Sequence, residues 1–185
     1  MIPPYSLRKI SEEDISFLFE LYHCPEITKY MSHPFQTIKD ARDYYDFISG
    51  VNEEGSEPGM VYVIQTSNKE AIGIVGLDYI LGPTAYLTFA LKPEYWHKGI
   101  MQTVLNDFLS KHTKLYKNII VRVREDNTPA LKLLSKLSSS LQIELLKSSH
   151  YEALNVERLK KTLWQIPVSI TLHSTFWEYP LWMTS

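Results

Sequence analysis

The sequence predicts an α/β (α+β) domain with a mixed, mostly antiparallel central sheet flanked by helices. The hydrophobic periodicity changes along the chain in the order helix, helix, three antiparallel-type strands, helix, strand, helix, strand. A composition of 44% hydrophobic and 22% charged residues over 185 positions is typical of a globular chain with one sizeable core. We therefore expect a single domain over residues 1–185.

Capping boxes predict where the two N-terminal helices begin. Residues 11–14 (Ser-Glu-Glu-Asp) and 37–40 (Thr-Ile-Lys-Asp) each place a hydroxyl three positions before a carboxylate that can reach back to it. Apolar side chains then recur at helical spacing, namely Ile15, Leu18, Phe19 and Tyr22, and Ala41, Tyr44, Tyr45 and Ile48. Residues 50–59, with three glutamates and a proline, predict an exposed loop.

Runs of β-branched and aromatic residues predict the strands. Residues 60–65, 71–79 and 85–91 are such runs, and the turns at 67–70 and 81–83 that divide them favour antiparallel pairing. A fourth run covers residues 118–124, and Thr128-Pro129 then opens a helix with leucines on one face.

The stretch between the third of these strands and the next helix is the most informative in the chain. Residues 92–101 are Lys-Pro-Glu-Tyr-Trp-His-Lys-Gly-Ile-Met, and an apolar helical face follows them. The first amides of a helix have no intrahelical acceptor, and the helix dipole makes that end positive. The stretch therefore predicts an anion site of backbone N–H groups, suited to a phosphate or pyrophosphate.

These residues resemble the acetyl-CoA loop of the GNAT superfamily of N-acetyltransferases, whose pattern is Gln/Arg-x-x-Gly-x-Gly/Ala. Gly99 fills the central glycine, Trp96 stands where Gln or Arg is usual, and His97 stands where a first glycine is common. Met101 replaces the last small residue, as is tolerated in the ribosomal-protein-type N-terminal acetyltransferases, the branch that the loop resembles. The resemblance implies that acetyl-CoA is the cosubstrate, bound at Trp96, His97, Lys98, Gly99, Ile100 and Met101.

A second segment is similar to the same superfamily. Residues 127–137 match an asparagine that opens a helix, followed by a small residue three positions later and by leucines. The resemblance implies that Asn127 meets the coenzyme arm, and the alternative is that it only caps the helix. The resemblance covers about residues 5–147. It implies a sheet splayed between its fourth and fifth strands, with unpaired amides near Ala90 and Leu91, where the fourth strand of the family bulges.

The chain also departs from the family pattern. Ser138-Ser139 replaces the usual Gly-Phe, and Tyr86 stands at a common glutamate. Ala130 and Leu134 stand where relatives carry a serine or a tyrosine proposed to protonate the leaving thiolate. These departures keep an alternative open, a catalytically inactive GNAT-like CoA-binding or interaction module.

The C-terminal segment from about residue 148 diverges from the family ending. Its apolar spacing predicts an amphipathic helix through Val156, Leu159 and Leu163. The aromatic tail at 176–182 is interpreted as part of a closing strand pair, with a lid or dimer contact as the alternative.

Charge is distributed unevenly, although the formal net charge is only -2. Residues 1–97 carry 14 acidic and 7 basic side chains, whereas residues 98–137 carry 3 acidic and 8 basic. The basic block suits a polyanion such as coenzyme A. The acidic half suggests a cationic acceptor, such as a protein N-terminus, a polyamine or another small cationic amine, with Glu20, Glu26 and Asp43 as candidate contributors.

Acetyl transfer to a primary amine needs a base, because an aliphatic amine is mostly protonated at neutral pH. The candidate bases are Asp78, Glu94, His97, His150 and Glu152. Asp78 and Glu94 are taken as the catalytic candidates, with an ordinary strand-end carboxylate and a surface residue as the respective alternatives. His97 suits a phosphate contact better. The proton for the departing thiolate can come from Tyr79, Tyr86 or water.

Several classes of partner are not expected. The chain lacks a basic run interleaved with stacking aromatics, as well as an apolar run of the ~20 residues that a membrane span needs. The histidines are scattered without metal-ligand spacing, so no metal is expected. The single Cys24 and the absence of a secretory signal predict a cytoplasmic protein. We expect it to be a monomer or a homodimer.

Overall fold

The computed structural model describes residues 5–31, 34–50, 59–112, 115–116, 118–124, 126–141, 144–149 and 161–167. In this part of the chain seven strands form one sheet: β1 Tyr5–Lys9, β2 Met60–Thr66, β3 Ala71–Leu81, β4 Thr84–Leu91, β5 Asn118–Arg124, β6 Glu144–Ser149 and β7 Lys161–Pro167. The α-helices are α1 Ile15–His23, α2 Pro25–Thr28, α3 Ile38–Ser49, α4 Ile100–His112 and α5 Thr128–Leu141. Short 3₁₀ turns lie at Glu12–Asp14 and Pro93–Tyr95.

The strands lie in the order β1-β2-β3-β4-β5-β7-β6. All neighbours pair antiparallel except β4 and β5, which are parallel. This confirms the mixed, mostly antiparallel sheet that the sequence predicts.

The pairing of β4 with β5 is short, and this opens the sheet. Residues 84–87 pair with residues 118–121, although β4 continues to Leu91 and β5 to Arg124. The carboxyl-terminal parts of both strands therefore diverge, which confirms the predicted splay. Ligands of α/β proteins bind at the carboxyl ends of strands in such openings.

Two apolar cores lie on opposite faces of the sheet. One core packs α1 and α3 against strand residues such as Val63 and Ile74. The other packs α4 and α5 against the opposite face, through Ile64, Val75 and their neighbours. This alternation of consecutive side chains follows from the two-residue period of a strand.

The N-terminal helices begin where the capping boxes predict. The Thr37 hydroxyl accepts the Asp40 amide at 3.3 Å, and the Asp40 carboxylate accepts the Thr37 amide at 2.8 Å. Asp14 is buried, accepts the Ser11 amide at 2.9 Å and pairs with Arg8 at 2.6 Å, which ties β1 to the start of α1. No helix in the described ranges combines the length and apolarity that a bilayer crossing requires.

Two parts of the sheet differ from the sequence prediction. β1 was not predicted, because its sequence, Tyr-Ser-Leu-Arg-Lys, has little apolar alternation and becomes a strand by pairing with distant β2. The helix predicted through Leu163 is wrong at that residue, which lies in β7 between Arg122 of β5 and Leu146 of β6. Strand pairing here overrides a helical spacing of only three apolar residues. Val156, Leu159 and the tail at 176–182 lie outside the described residues.

Candidate active site

A single long cleft of about 1160 Å³ runs through the splayed part of the sheet, as seen in the described residues. It begins at the loop before α4, passes between β4 and β5, and ends against α1, α2 and α3. Pockets for one small ligand usually measure about 300–1,000 Å³, so this cleft is larger than a usual small-ligand pocket.

The loop before α4 forms the first end of the cleft. His97 and Gly99 adopt left-handed φ values of 59° and 75°, with Lys98 between them. Such alternation turns successive amides toward one side and creates an anion-binding concavity. The first intrahelical bond joins the Thr103 amide to the Gly99 carbonyl at 3.1 Å. The amides at positions 100–102 therefore have no acceptor within α4, and all three residues line the cleft.

Some side chains of this stretch are buried, and others are exposed. Ile100 and Met101 are buried, so they offer the cleft mainly their backbone amides. His97 is exposed and lines the cleft. Lys98 is exposed, and its ammonium lies 5.2 Å from the centre of the Tyr95 ring.

Trp96 holds the loop against the end of β4. Its indole N–H donates to the Leu91 carbonyl at 2.6 Å. The Lys92 amide donates to the Ile72 carbonyl of β3 at 2.8 Å. Because the residues of an antiparallel strand alternate between facing the partner strand and facing away from it, every second residue of β4 directs its backbone N–H and C=O groups toward β3. By this alternation the Ala90 amide faces β3, whereas the Leu91 amide faces the splay. Of the two predicted oxyanion donors, only Leu91 thus presents its N–H to the cleft.

The irregularity of the sheet lies in β3, not near Ala90 and Leu91 as expected. Leu77 pairs with Leu87 and Tyr79 pairs with Tyr86, which leaves Asp78 as an extra residue between them. A bulge of this kind re-aims side chains and sharpens the local twist. Both Asp78 and Tyr79 consequently line the cleft.

Asp78 has a strongly altered acidity. Burial raises the pKa of its carboxyl from 3.8 to about 7, because the charged form loses hydration. The effect is opposed by backbone N–H groups, by the positive charge of Arg122 and by a hydrogen bond with Thr88. A carboxyl that ionises near neutral pH, beside a cleft, is suited to proton transfer.

Three hydroxyl side chains that the sequence analysis did not select surround Asp78. Tyr22 lies 3.4 Å from Thr88, oxygen to oxygen, and burial raises the pKa of Tyr22 to about 12. The Tyr44 hydroxyl is buried beside Tyr22 and Thr88, and its pKa is raised well above 10 by burial and by neighbouring Tyr22 and Asp78. Tyr22 and Tyr44 had been predicted only as parts of apolar helix faces. A phenylalanine would be enough for packing at these two positions. The tyrosine hydroxyls were therefore the sequence feature that could have indicated a polar role.

Asn127 begins α5 and lines the cleft. Its side-chain oxygen accepts the Ala130 amide at 3.2 Å, so the capping role is present. The cap uses the oxygen alone, and the side-chain N–H₂ group is a separate donor.

The remaining acidic candidates are placed unequally. Glu26 and Asp43 line the cleft, whereas Glu20 and Glu94 line a separate depression of about 180 Å³ near Cys24. His150 and Glu152 lie outside the described residues.

The basic residues are also placed unequally. Of the basic block, Arg122, Arg124, Lys132 and Lys136 line the cleft. Within the described ranges no three His, Cys, Asp or Glu residues cluster closely enough to hold a metal ion.

Residues 6–138 match the sequence model of a family described as the acetyltransferase (GNAT) domain. The chain belongs to the GNAT family. Its membership identifies this GNAT protein as an acetyltransferase, as the sequence predicted. The chain is 31% identical over 138 residues to the uncharacterized N-acetyltransferase p20 of Bacillus licheniformis. This alignment covers 72% of this chain and 77% of that protein.

Solved structures share the fold of this acetyltransferase. Spermidine N-acetyltransferase from Vibrio cholerae, in complex with CoA and spermine, matches with a TM-score of 0.71 at 20% identity, over 88% of this chain and 95% of that one. The ribosomal-protein-S18-alanine N-acetyltransferase from Escherichia coli matches with a TM-score of 0.63 at 12% identity, over 94% and 99%. At these identities the likeness concerns the fold.

Proposed function

We propose that this protein transfers an acetyl group from acetyl-CoA to a primary amine, with Asp78 as the general base. The observation that carries the proposal is one cleft with two ends. One end presents the free amides of a left-handed loop, and the other holds a carboxyl with a pKa of about 7. An anion-binding end and a proton-accepting end are what a nucleotide thioester and an amine require.

The coenzyme end is built from the loop and from α5. The amides of residues 97–102 would bind the diphosphate, and Lys132 and Lys136 supply positive charge across the cleft. The Asn127 N–H₂ group can donate to the pantetheine arm while its oxygen caps α5. The sequence of residues 96–101 supports the ribosomal-protein-type branch as the proposed subgroup by sequence, which leaves the acceptor open. The single Cys24 agrees with a cytoplasmic location.

The proposed chemistry uses Asp78 and Leu91 directly. Asp78 takes the proton that the ammonium must lose before its nitrogen can attack the thioester carbonyl, so that a C–N bond forms and the C–S bond breaks. The Leu91 amide, which faces the splay, can donate to the developing oxyanion. Asp78 precedes Tyr79, which pairs with Tyr86. Relatives commonly carry a glutamate at the position of Tyr86, so Asp78 places a carboxylate beside that position.

Glu94 is not assigned a role in this mechanism, because it does not line the cleft. The proposed proton donors to the departing thiolate are Tyr79, Tyr86 and water, because Tyr79 and Tyr86 both line the cleft.

The test measures thiol release from acetyl-CoA in the presence of primary amines. The variant Asp78→Asn should lower kcat/KM by about 10²–10⁴-fold, the usual contribution of a positioned base, without weakening CoA binding. Asp107→Asn, an exposed change on α4 away from the cleft, should leave both unchanged. Calorimetric binding of CoA without thiol release for any amine would favour the non-catalytic module instead.

A further inference from the structure

The first aromatic wall of the acceptor end consists of Tyr22, Phe35 and Tyr44. Their ring centroids are 5.0, 5.9 and 5.8 Å apart in pairs, and all three residues line the cleft. Tyr22 is joined to Asp78 through Thr88. The wall therefore stands directly beside the proposed base.

The second aromatic wall consists of Phe47, Tyr79 and Tyr86. Phe47 stacks on Tyr79 at 5.9 Å and 10°, and Tyr79 meets Tyr86 at 5.6 Å. All three rings line the cleft, and Tyr79 follows Asp78 in the bulge. Asp78 is thus bordered by aromatic surface from both walls.

Two carboxylates near the mouth of the cleft are already engaged by the protein. Asp40 accepts the amides of Gln36 and Thr37 at 2.7 and 2.8 Å, which holds the start of α3. Asp43 pairs with the Lys39 ammonium at 2.5 Å. A second ammonium of a substrate would have to compete with these donors.

The positive charge near Asp78 does not favour a polycation either. The Arg122 guanidinium lies 4.7 Å from the centre of the Tyr86 ring and acts electrostatically on Asp78. A cation at this position repels additional positive charge on a bound acceptor.

We infer that the acceptor is a small primary amine with one positive charge and a flat apolar body, and not a polyamine. The inference rests on the proposed function and specifies its substrate class. The amine nitrogen lies at Asp78, the apolar body lies between the two aromatic walls, and aromatic faces attract the ammonium before it loses its proton. This narrows the cationic acceptor suggested by the acidic half of the sequence. Among the described residues of that half, Glu26, Asp40, Asp43 and Asp78 line the cleft, and Asp40 and Asp43 already bind donors of the protein.

The experiment compares four acceptors with the full-length protein and acetyl-CoA, by thiol release. They are 2-phenylethylamine, ethylamine, spermidine and a hexapeptide with a free N-terminal alanine. Burying one aromatic ring should raise kcat/KM for 2-phenylethylamine about 10- to 100-fold over ethylamine, which carries the same charge without the ring. Spermidine and the peptide should each react at least about tenfold less efficiently than 2-phenylethylamine.

A matched pair of variants assigns the preference to the walls. Phe47→Ala removes a ring of the second wall and should reduce the ratio of kcat/KM for 2-phenylethylamine over ethylamine by about tenfold. Phe19→Ala removes a partly buried ring on α1 that stacks on His23 and does not line the cleft. Phe19→Ala should leave that ratio unchanged.

The outcomes separate this inference from the acetyltransferase proposal. Turnover of spermidine or the peptide with equal or greater efficiency than 2-phenylethylamine would overturn the inference alone. So would equal efficiencies for 2-phenylethylamine and ethylamine. Absence of thiol release with all four acceptors would count against both the inference and the proposed function.

Discussion

Asp78→Asn should stabilise the protein at pH 8 while removing its activity. Burial raises the pKa of this carboxyl from 3.8 to about 7, so between these pH values the folded protein keeps a proton that the unfolded chain has released. Stability falls with rising pH wherever the folded state binds more protons. The wild-type protein should therefore lose stability from about pH 4 to about pH 7 through this group, and no further above it.

The magnitude follows from the size of the shift. Three pKa units correspond to about 4 kcal/mol at 1.36 kcal/mol per unit, and the partial exposure of Asp78 to the cleft reduces this to about 2 kcal/mol. An asparagine has nearly the same shape, can keep the contact with Thr88 and carries no charge. At pH 4 the two proteins should be about equally stable, and at pH 8 the variant should be more stable by about 2 kcal/mol.

The assay is urea denaturation of both proteins at several pH values between 4 and 8, followed by tryptophan fluorescence. The difference between the two proteins isolates Asp78 from every other titrating group. In parallel, wild-type kcat/KM should rise with pH and level off above about pH 7, whereas kcat/KM of Asp78→Asn should keep rising with the fraction of neutral amine. A stability difference that is constant with pH, or that favours the wild type at pH 8, would refute the raised pKa and the argument built on it.

Two changes in the loop test the coenzyme end. Gly99→Ala adds a Cβ that meets no atom within 4 Å, but it forces alanine to a φ of 75°. The left-handed strain of about 1–2 kcal/mol should weaken CoA binding about 5- to 30-fold, as measured by calorimetry. Gly82→Ala has similar strain at φ 53° in the β3–β4 turn, and equal CoA weakening there would contradict the assignment. Trp96→Phe leaves the Leu91 carbonyl without its 2.6 Å donor and should lower the free energy of unfolding in urea by about 1–3 kcal/mol, whereas unchanged stability would show that the indole bond is not needed.

Local sequence was sufficient where the determining interactions are local. The capping boxes at 11–14 and 37–40 predicted helix starts because hydroxyl, carboxylate and amides lie within one turn of each other. The loop at 96–99 likewise predicted an anion site, since the unpaired amides of α4 and the flexibility of Gly99 are properties of a few consecutive residues. The overall element order followed from periodicity apart from two strands. β1 needs β2 to become a strand, and β7 pairs with β5 where a helix through Leu163 was predicted.

By itself the sequence determined the family, predicted residues 96–101 as the coenzyme loop and offered Asp78 as one of several candidate bases. Only the tertiary structure decided that Asp78 faces the cleft and that Glu94 does not. The bulge at Asp78 exists only in the pairing of β3 with β4, and its hydroxyl surroundings join Tyr22 to Thr88, 66 residues apart in the chain. The acidity of a carboxyl depends on the water it loses and on the charges that distant segments bring near it, and no short stretch of sequence contains that information.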